Sequence, residues 1–129
     1  MLMLNGTRIT AQSRTRAVDR LSRGLTILQR KGWCQGQYEL DGKHCAWGAI
    51  VCSAPKRHQI SYESDYITQI FLVAGIKKIT PRTRMLRVHN DPKSCIFDWN
   101  DARGRQEKDV KKAFRAAIRI GNDLRPAKA

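Results

Sequence analysis

Between residues 13 and 31, apolar positions recur with the spacing of one helix face. At ~100° per residue they share an arc of about 100°, and they are Ala17, Val18, Leu21, Leu25 and Leu28. The opposite side, within about 80°, carries Arg16, Arg20, Arg23 and Arg30. Ser13 is the predicted N-cap, and Lys31-Gly32 is typical of a helix end. The pattern predicts an amphipathic helix over residues 13–31.

A second amphipathic pattern runs from residue 106 to residue 120. Its apolar face consists of Val110, Ala113, Phe114, Ala117 and Ile118. Its polar face, within about 100°, consists of Lys108, Lys111, Lys112, Arg115 and Arg119. Gly121-Asn122 is the expected end. This segment is predicted to be the last helix.

The middle of the chain is less charged and less regular. Residues 45–54 contain no charged side chain, which predicts a buried helix around which the others pack. Asp41-Gly42 indicates a short hairpin near residues 36–45. Residues 61–75 read as a further helix that stops at Gly75. Pro81 and Pro92 limit any helix within 76–98, where a short extended piece is expected, and 99–105 is a predicted loop.

These elements predict a mainly α fold: a small single-domain helical bundle of about four helices with a short β-hairpin. One domain spans residues 1–129, with residues 1–12 and 122–129 as flexible ends. No apolar run approaches the ~18 residues of a membrane span, and the start has no basic region typical of a signal peptide. We therefore expect a cytoplasmic protein without a membrane partner.

The charge of the chain indicates the class of molecule that it binds. The chain has 25 Lys and Arg against 11 Asp and Glu, a formal net charge of +14. Residues 1–33, 55–90 and 91–129 carry +6, +5 and +4, whereas residues 34–54 carry −1. The surplus thus lies on the elements that surround the uncharged segment, and it favours a polyanionic partner.

We therefore expect a small basic accessory protein, of phage or mobile-element type, that contacts DNA or RNA phosphates without reading bases. If the two basic faces formed one stripe, nucleic-acid binding would be favoured, whereas two faces that point apart would favour the interpretation as solvated faces. The predicted contacts are the first face (Arg16, Arg20, Arg23, Arg30), the last face (Lys108, Lys111, Lys112, Arg115, Arg119) and the segment with Arg82, Arg84 and Arg87.

Three alternatives stay open at this point. The basic faces could simply be solvated, or they could dock on an acidic protein surface, as in an inhibitor or adaptor. Stacking on bases is a further role for Tyr38, Trp33 and Trp99, although such aromatic residues more often belong to the core. The sequence does not decide sequence specificity or oligomeric state.

The cysteines raise a separate hypothesis. Cys34, Cys45, Cys52 and Cys95 form no C-x-x-C pair, so we expect reduced thiols and no metal or cofactor, with Cys45 and Cys52 in the core. At a helix N-terminus, however, Cys45 would be an activated nucleophile. His89 would then be its base, Asp98 or Asn100 would orient that base, and Gln35 would donate to an oxyanion. The competing interpretation is a core Cys45 and a surface His89.

Three segments carry a family resemblance: Gly32-Trp33-Cys34-Gln35-Gly36, Cys45-Ala46-Trp47-Gly48-Ala49-Ile50 and Trp99-Asn100-Asp101-Ala102-Arg103-Gly104-Arg105. In this order they resemble a family of short bacterial and phage proteins of unknown function. The resemblance implies a small, mostly helical fold over residues 14–120 and no activity. Trp47 departs from it, because a smaller aliphatic residue is usual there. For Trp99-Asn100-Asp101 we favour capping or turn chemistry with Trp99 as a core anchor over a ligand contact.

Overall fold

A computed structural model describes residues 2–4, 6–54, 62–81 and 91–124, with side chains described throughout these ranges except at residues 2, 3 and 62–65. Within these ranges the chain forms five helices and two antiparallel two-stranded hairpins. The first hairpin is β1 (Leu2–Leu4) with β2 (Thr7–Ile9), and the second is β3 (Glu39–Leu40) with β4 (Lys43–His44). The helices are α1 (Ala11–Lys31), α2 (Ala46–Cys52), α3 (Tyr62–Ile79), α4 (Pro92–Asn100) and α5 (Glu107–Asp123). The mainly α bundle predicted from the sequence is confirmed.

The start of α1 is fixed by two residues that bond to each other. The Thr10 side chain accepts a hydrogen bond from the backbone N–H of Ser13 at 3.0 Å, and the Ser13 side chain accepts one from the backbone N–H of Thr10 at 3.0 Å. This reciprocal capping box satisfies two backbone donors that a helix start otherwise leaves open. Ser13 was therefore wrongly predicted as the N-cap. Residues 1–12, for which the sequence allows either a loose arm or a short strand, contain β1 and β2, and Ile9 is fully buried.

The core lies where α1, α3 and α5 pack together. A Cβ on Gly75 of α3 would lie 2.5 Å from the carbonyl oxygen of Ala113, so glycine is what lets α5 approach. Gly75 does not end α3, which runs on to Ile79. Along α1, Val18 meets Gly121 and Gly24 meets Phe114, so the two helices are antiparallel. The largest fully buried side chains are Phe71 and Phe114.

The uncharged helix α2 lies at the side of this core rather than at its centre. Residues 46–50 are buried, but Val51 and Cys52 at the end of the helix are exposed. The prediction that Cys52 is a core residue is therefore wrong, whereas Cys45 is buried as expected. The central position belongs to α3, α5 and α1, because α1 and α5 each have a long apolar face to bury and α3 is buried on every side over residues 67–73.

Helix α4 replaces the irregular segment expected before residue 99. Asp91 is its N-cap and accepts a hydrogen bond from the backbone N–H of Lys93, and Pro92 occupies the first turn. Proline is well suited to that position because its missing N–H is not needed there. Trp99 and Asn100 therefore lie at the end of a helix rather than in a loop. No helix within the described residues is long and apolar enough to cross a membrane.

Candidate nucleic-acid interface

The basic side of α5 presents four cations on successive turns. Lys108, Lys112, Arg115 and Arg119 are all exposed, and they are called the α5 row below. Their spacing of four, three and four residues places them along one side of the helix over about 16 Å. The sequence prediction of this face is thus matched by the exposure of these four side chains.

Of the three acidic residues of α5, Glu107 and Asp109 are engaged, whereas Asp123 is exposed at the end of the helix, one turn after Arg119. Glu107 pairs with Lys111 at 3.4 Å. Lys111, the fifth predicted contact on this helix, is therefore paired, and it is also half-buried. Asp109 accepts a hydrogen bond from the backbone N–H of Gln106 at 3.0 Å. Among the residues that the structure describes, none forms an ion pair with a member of the α5 row.

On α1, three of the four predicted arginines are exposed. Arg16, Arg23 and Arg30 are called the α1 row. Arg23 pairs with Asp19 at 3.0 Å, and both side chains are about half exposed (54% and 53%). An ion pair so open to solvent contributes little to stability. Arg16 and Arg30 pair with no acid in the described part of the chain.

Arg20 is the exception, and its predicted place on the exposed face is wrong. Arg20 is only 4% exposed, and its guanidinium donates to the carbonyl oxygen of Ile50 at 2.9 Å. That carbonyl lies in the last turn of α2, where the helix dipole favours a cation. Arg20 therefore joins α1 to α2 and has no surface to offer a phosphate. Arg82, Arg84 and Arg87 lie outside the described residues.

The two rows do not form one stripe. Arg14 and Val18 mark the side of α1 that touches α5, since Arg14 donates to the carbonyl oxygen of Gly121 and Val18 lies against Gly121. Gly24, which lies against Phe114, belongs to the same contact. At ~100° per residue, Arg23 and Arg30 are at least about 100° from these three residues, and Arg16 is about 80° from Gly24. The members of the α5 row are at least about 100° from Phe114 and Gly121, which touch α1, by the same geometry. Each row thus faces away from the other helix, which is the arrangement that favours solvated faces over one continuous binding stripe.

The three aromatic candidates for base stacking have different surroundings. Trp99 is 5% exposed, its indole N–H donates to the Thr80 hydroxyl at 3.0 Å, and Arg105 covers its ring at 4.1 Å. Trp33 is half-buried, and its indole N–H donates to Asn100 at 2.7 Å. Tyr38 is 53% exposed and meets the ring of Phe97 edge-on. Of the three, Tyr38 alone offers substantial ring surface to a base.

The residues of the cysteine hypothesis are partly brought together, but in structural hydrogen bonds. Cys45 is the N-cap of α2, and its sulfur accepts a hydrogen bond from the backbone N–H of Gly48 at 3.2 Å. Burial nevertheless raises the pKa of Cys45, so the thiol form is favoured. Asp98 is exposed, and His89 lies outside the described residues.

The other two members of that hypothesis bond to backbone groups. Gln35 donates to the carbonyl oxygens of Asn100 and Ala102, both at 3.0 Å, so its amide already has partners. The Asn100 side chain accepts from the backbone N–H of Ala46 at 2.9 Å. The Gln35 and Asn100 amides therefore hold loops in place through these hydrogen bonds and are not arranged to donate to an oxyanion.

Asn100 links all three sequence motifs. It is 1% exposed, and its side-chain oxygen accepts from Trp33 and Ala46 while its nitrogen donates to the carbonyl oxygen of Cys34 at 3.2 Å. Next to it, the Asp101 carboxylate accepts from the backbone N–H of Gly36 at 2.9 Å. The structural role favoured for this motif is present: Asp101 is the C-cap of α4, and the Asn100 side chain accepts from the first backbone N–H of α2. The side chains of these two residues also tie distant loops together.

The cysteines show no metal site. All four are free thiols, and Cys52 lies 3.7 Å from the Nδ1 of His44. Among the described residues, no three His, Cys, Asp or Glu side chains are placed to share a metal ion.

Comparison with known proteins gives one match. The model of a family of unknown function (DUF6197) matches residues 12–120. The chain belongs to this family. No curated protein and no solved structure matches the chain.

The DUF6197 match includes the Asn100 cluster and the α5 row, so both lie within the part shared with the family. The membership expected from the three motifs is confirmed.

The sequence did not reveal how the motifs meet. Asn100 and Gln35 were considered for catalysis, yet their side chains join the loops. The signal was the presence of one uncharged polar side chain in each of two separated motifs, within two residues of a tryptophan in both. Those residue types fit a buried polar tie.

Proposed function

We propose that this DUF6197 protein binds nucleic acid through phosphate contacts, with the α5 row as its main surface. The observation that carries the proposal is the α5 row itself: four exposed cations on successive turns, paired with no acid among the described residues. Lysine and arginine side chains in such a row match the negative charges of a phosphate backbone.

The arrangement carries a cost that a polyanion would remove. Lys108 and Lys112 are four residues apart, as are Arg115 and Arg119, and like charges at that spacing destabilise a helix by about 0.2–0.5 kcal/mol per pair. Two of the three acids of α5 are engaged, because Glu107 pairs with Lys111 and Asp109 bonds to the helix start, so Asp123 at the end of the helix is the one exposed acid near the row. A phosphate chain along the row would supply the missing negative charge.

The expected contact is with the backbone rather than with bases. The row consists of long cationic side chains on a helix whose other face is buried, and Phe114 and Val110 anchor that face in the core. Two of the three candidate stacking residues, Trp33 and Trp99, are held by internal hydrogen bonds. Binding should therefore vary little with base sequence and strongly with salt.

The experiment compares three proteins against a duplex DNA and a single-stranded RNA at ~50 mM salt, where phosphate contacts are strongest. The first is the unaltered chain, and the second carries K108Q, K112Q, R115Q and R119Q. The matched control carries K31Q, K43Q, K77Q and K78Q, which removes four charges from other exposed positions. The proposal expects the α5 variant to lose most of its affinity and the control to lose much less.

Two results would overturn the proposal. One is no binding of the unaltered chain to either nucleic acid at ~50 mM salt, which would make the row a solvated face. The other is an equal loss of affinity in both variants, which would mean that net charge and not the α5 row attracts the polyanion. Retention of a protein from a nuclease-treated lysate by the unaltered chain, lost in the α5 variant, would point instead to an acidic protein surface.

A further inference from the structure

We propose that one copy of the chain bridges two nucleic-acid segments, one on the α5 row and one on the α1 row. This inference rests on the function proposed above and adds a second contact surface to it. The α1 row consists of Arg16, Arg23 and Arg30, which are exposed and spaced seven residues apart. That spacing keeps the three side chains on one side of α1 over about 21 Å.

The directions of the two rows carry the argument. Each row lies at least about 80° around its helix from the residues that touch the other helix. DNA resists bending on the scale of this small domain, because its persistence length is about 50 nm. A duplex that lies along the α5 row therefore leaves the α1 row in solvent, free to contact a second segment.

The basic residue of α1 that reaches α5 is Arg14, which is half-buried and whose guanidinium already donates to the carbonyl oxygen of Gly121. The exposed strip of α1 that lies nearer to α5 is made of uncharged polar residues: Thr15, Ser22, Thr26 and Gln29. The three hydroxyls donate to backbone carbonyl oxygens of their own helix, at Ala11, Val18 and Ser22 respectively. These hydroxyls already have hydrogen-bond partners within α1, and they supply no positive charge. A single strand that wrapped from one row to the other would cross this strip without a cation beneath it.

The α1 row is suited to weaker binding than the α5 row. Arg23 already pairs with Asp19, but two side chains that are about half exposed gain little from such a pair, so exchange for a phosphate costs little. Arg16 and Arg30 pair with no acid among the described residues. Two sites of unequal strength are enough to hold two segments, since binding at one leaves the other accessible.

The test is a capture experiment with the full chain. A short biotinylated duplex is fixed on beads and loaded with protein at no more than one copy per duplex. The beads are washed at ~50 mM salt, and a second, fluorescent duplex of different sequence is added. The proteins compared are the unaltered chain, the α1-row variant R16Q/R23Q/R30Q and the matched control K43Q/K77Q/K78Q.

Bridging predicts that the unaltered chain and the control capture the fluorescent duplex, and that the α1-row variant falls to the level of bare beads. The same α1-row variant should still bind a single duplex in a separate titration, because its α5 row is intact. Capture by the α1-row variant equal to that of the unaltered chain would overturn the inference and assign bridging to self-association. Titration binding by the unaltered chain without any capture would overturn the inference alone, whereas absence of titration binding would overturn the proposed function with it.

Discussion

The indole N–H of Trp33 donates to the side-chain oxygen of Asn100 at 2.7 Å, across 67 residues of sequence. The same oxygen accepts from the backbone N–H of Ala46, and the Asn100 nitrogen donates to the carbonyl oxygen of Cys34. One buried amide therefore holds the loop after α1, the start of α2 and the end of α4 in register. Because the amide can both accept and donate, neither a carboxylate nor an apolar side chain can take its place.

Replacement of Asn100 by alanine should destabilise the protein by about 3 kcal/mol, because it leaves Trp33, Ala46 and Cys34 with buried polar groups that have lost their partner. Urea unfolding followed by circular dichroism measures the effect. Gln29→Ala, at an exposed position of α1, is the control and should change stability by no more than about 0.5 kcal/mol. An Asn100→Ala protein as stable as that control would show that the tie is not needed.

Arg20 and Arg115 should separate stability from binding. Arg20→Ala removes a buried side chain that bonds to Ile50 and should cost about 2 kcal/mol of stability, while the affinity of the folded protein for duplex DNA stays unchanged. Arg115→Gln should change stability by less than about 0.5 kcal/mol and weaken DNA binding. Unfolding curves and a DNA titration on the same preparations measure both. The reverse assignment, with binding lost in Arg20→Ala, would contradict the placement of these side chains.

Gly75→Ala should destabilise the α3–α5 contact by about 2 kcal/mol through overpacking. The added Cβ would lie 2.5 Å from the carbonyl oxygen of Ala113 and 2.7 Å from the backbone nitrogen of Ala117, which are main-chain atoms that cannot rotate away. Gly36→Ala is the comparison, since its Cβ would meet nothing within 4 Å and would strain only a positive φ of 79°. Its expected cost is about 1 kcal/mol. Equal stability of Gly75→Ala and the unaltered chain would mean that the two helices are not in close contact.

Stability should fall as pH rises above about 8.5, the ordinary pKa of a cysteine thiol. Burial raises the pKa of Cys45 in the folded protein, and desolvation does the same for Cys34, Cys52 and Cys95. The unfolded chain therefore loses thiol protons first, and the contribution of each thiol to stability disappears as pH passes through its folded pKa. Urea unfolding under reductant from pH 8 upward should show this decline.

Cys45→Ala should make that decline shallower than in the unaltered chain. The rate of iodoacetamide reaction at Cys45 across pH gives its pKa directly, and we expect a value above that of a free thiol. A pKa below the free value would contradict the effect of burial and favour the nucleophile hypothesis.

The helices with the clearest apolar periodicity were the easiest to predict. The two amphipathic patterns at 13–31 and 106–120 correspond to α1 and α5, because an apolar stripe specifies the buried face without further information. Helix α4 was missed because Pro92 was interpreted as a helix breaker. With Asp91 before it, Pro92 forms a helix start, in which the fixed φ and absent N–H are no disadvantage.

The site was predictable only as far as local spacing reaches. Exposure of the α5 row follows from its helix periodicity, whereas Arg20 has the same periodicity and is buried. Its position beside α2 depends on how α2 packs on α1, and no local pattern contains that contact. The meeting of Trp33, Ala46 and Asn100 likewise depends on chain segments more than 50 residues apart.

The salt dependence of DNA binding tests the central claim, that the α5 row contacts phosphates, most directly. Four phosphate contacts on this row would contribute about −3.6 to the slope of log K against log salt concentration. The slope of the K108Q/K112Q/R115Q/R119Q variant should therefore be shallower than that of the unaltered chain by about that amount. The K31Q/K43Q/K77Q/K78Q control should keep most of the original slope. An α5 variant with the same slope as the unaltered chain would contradict the claim.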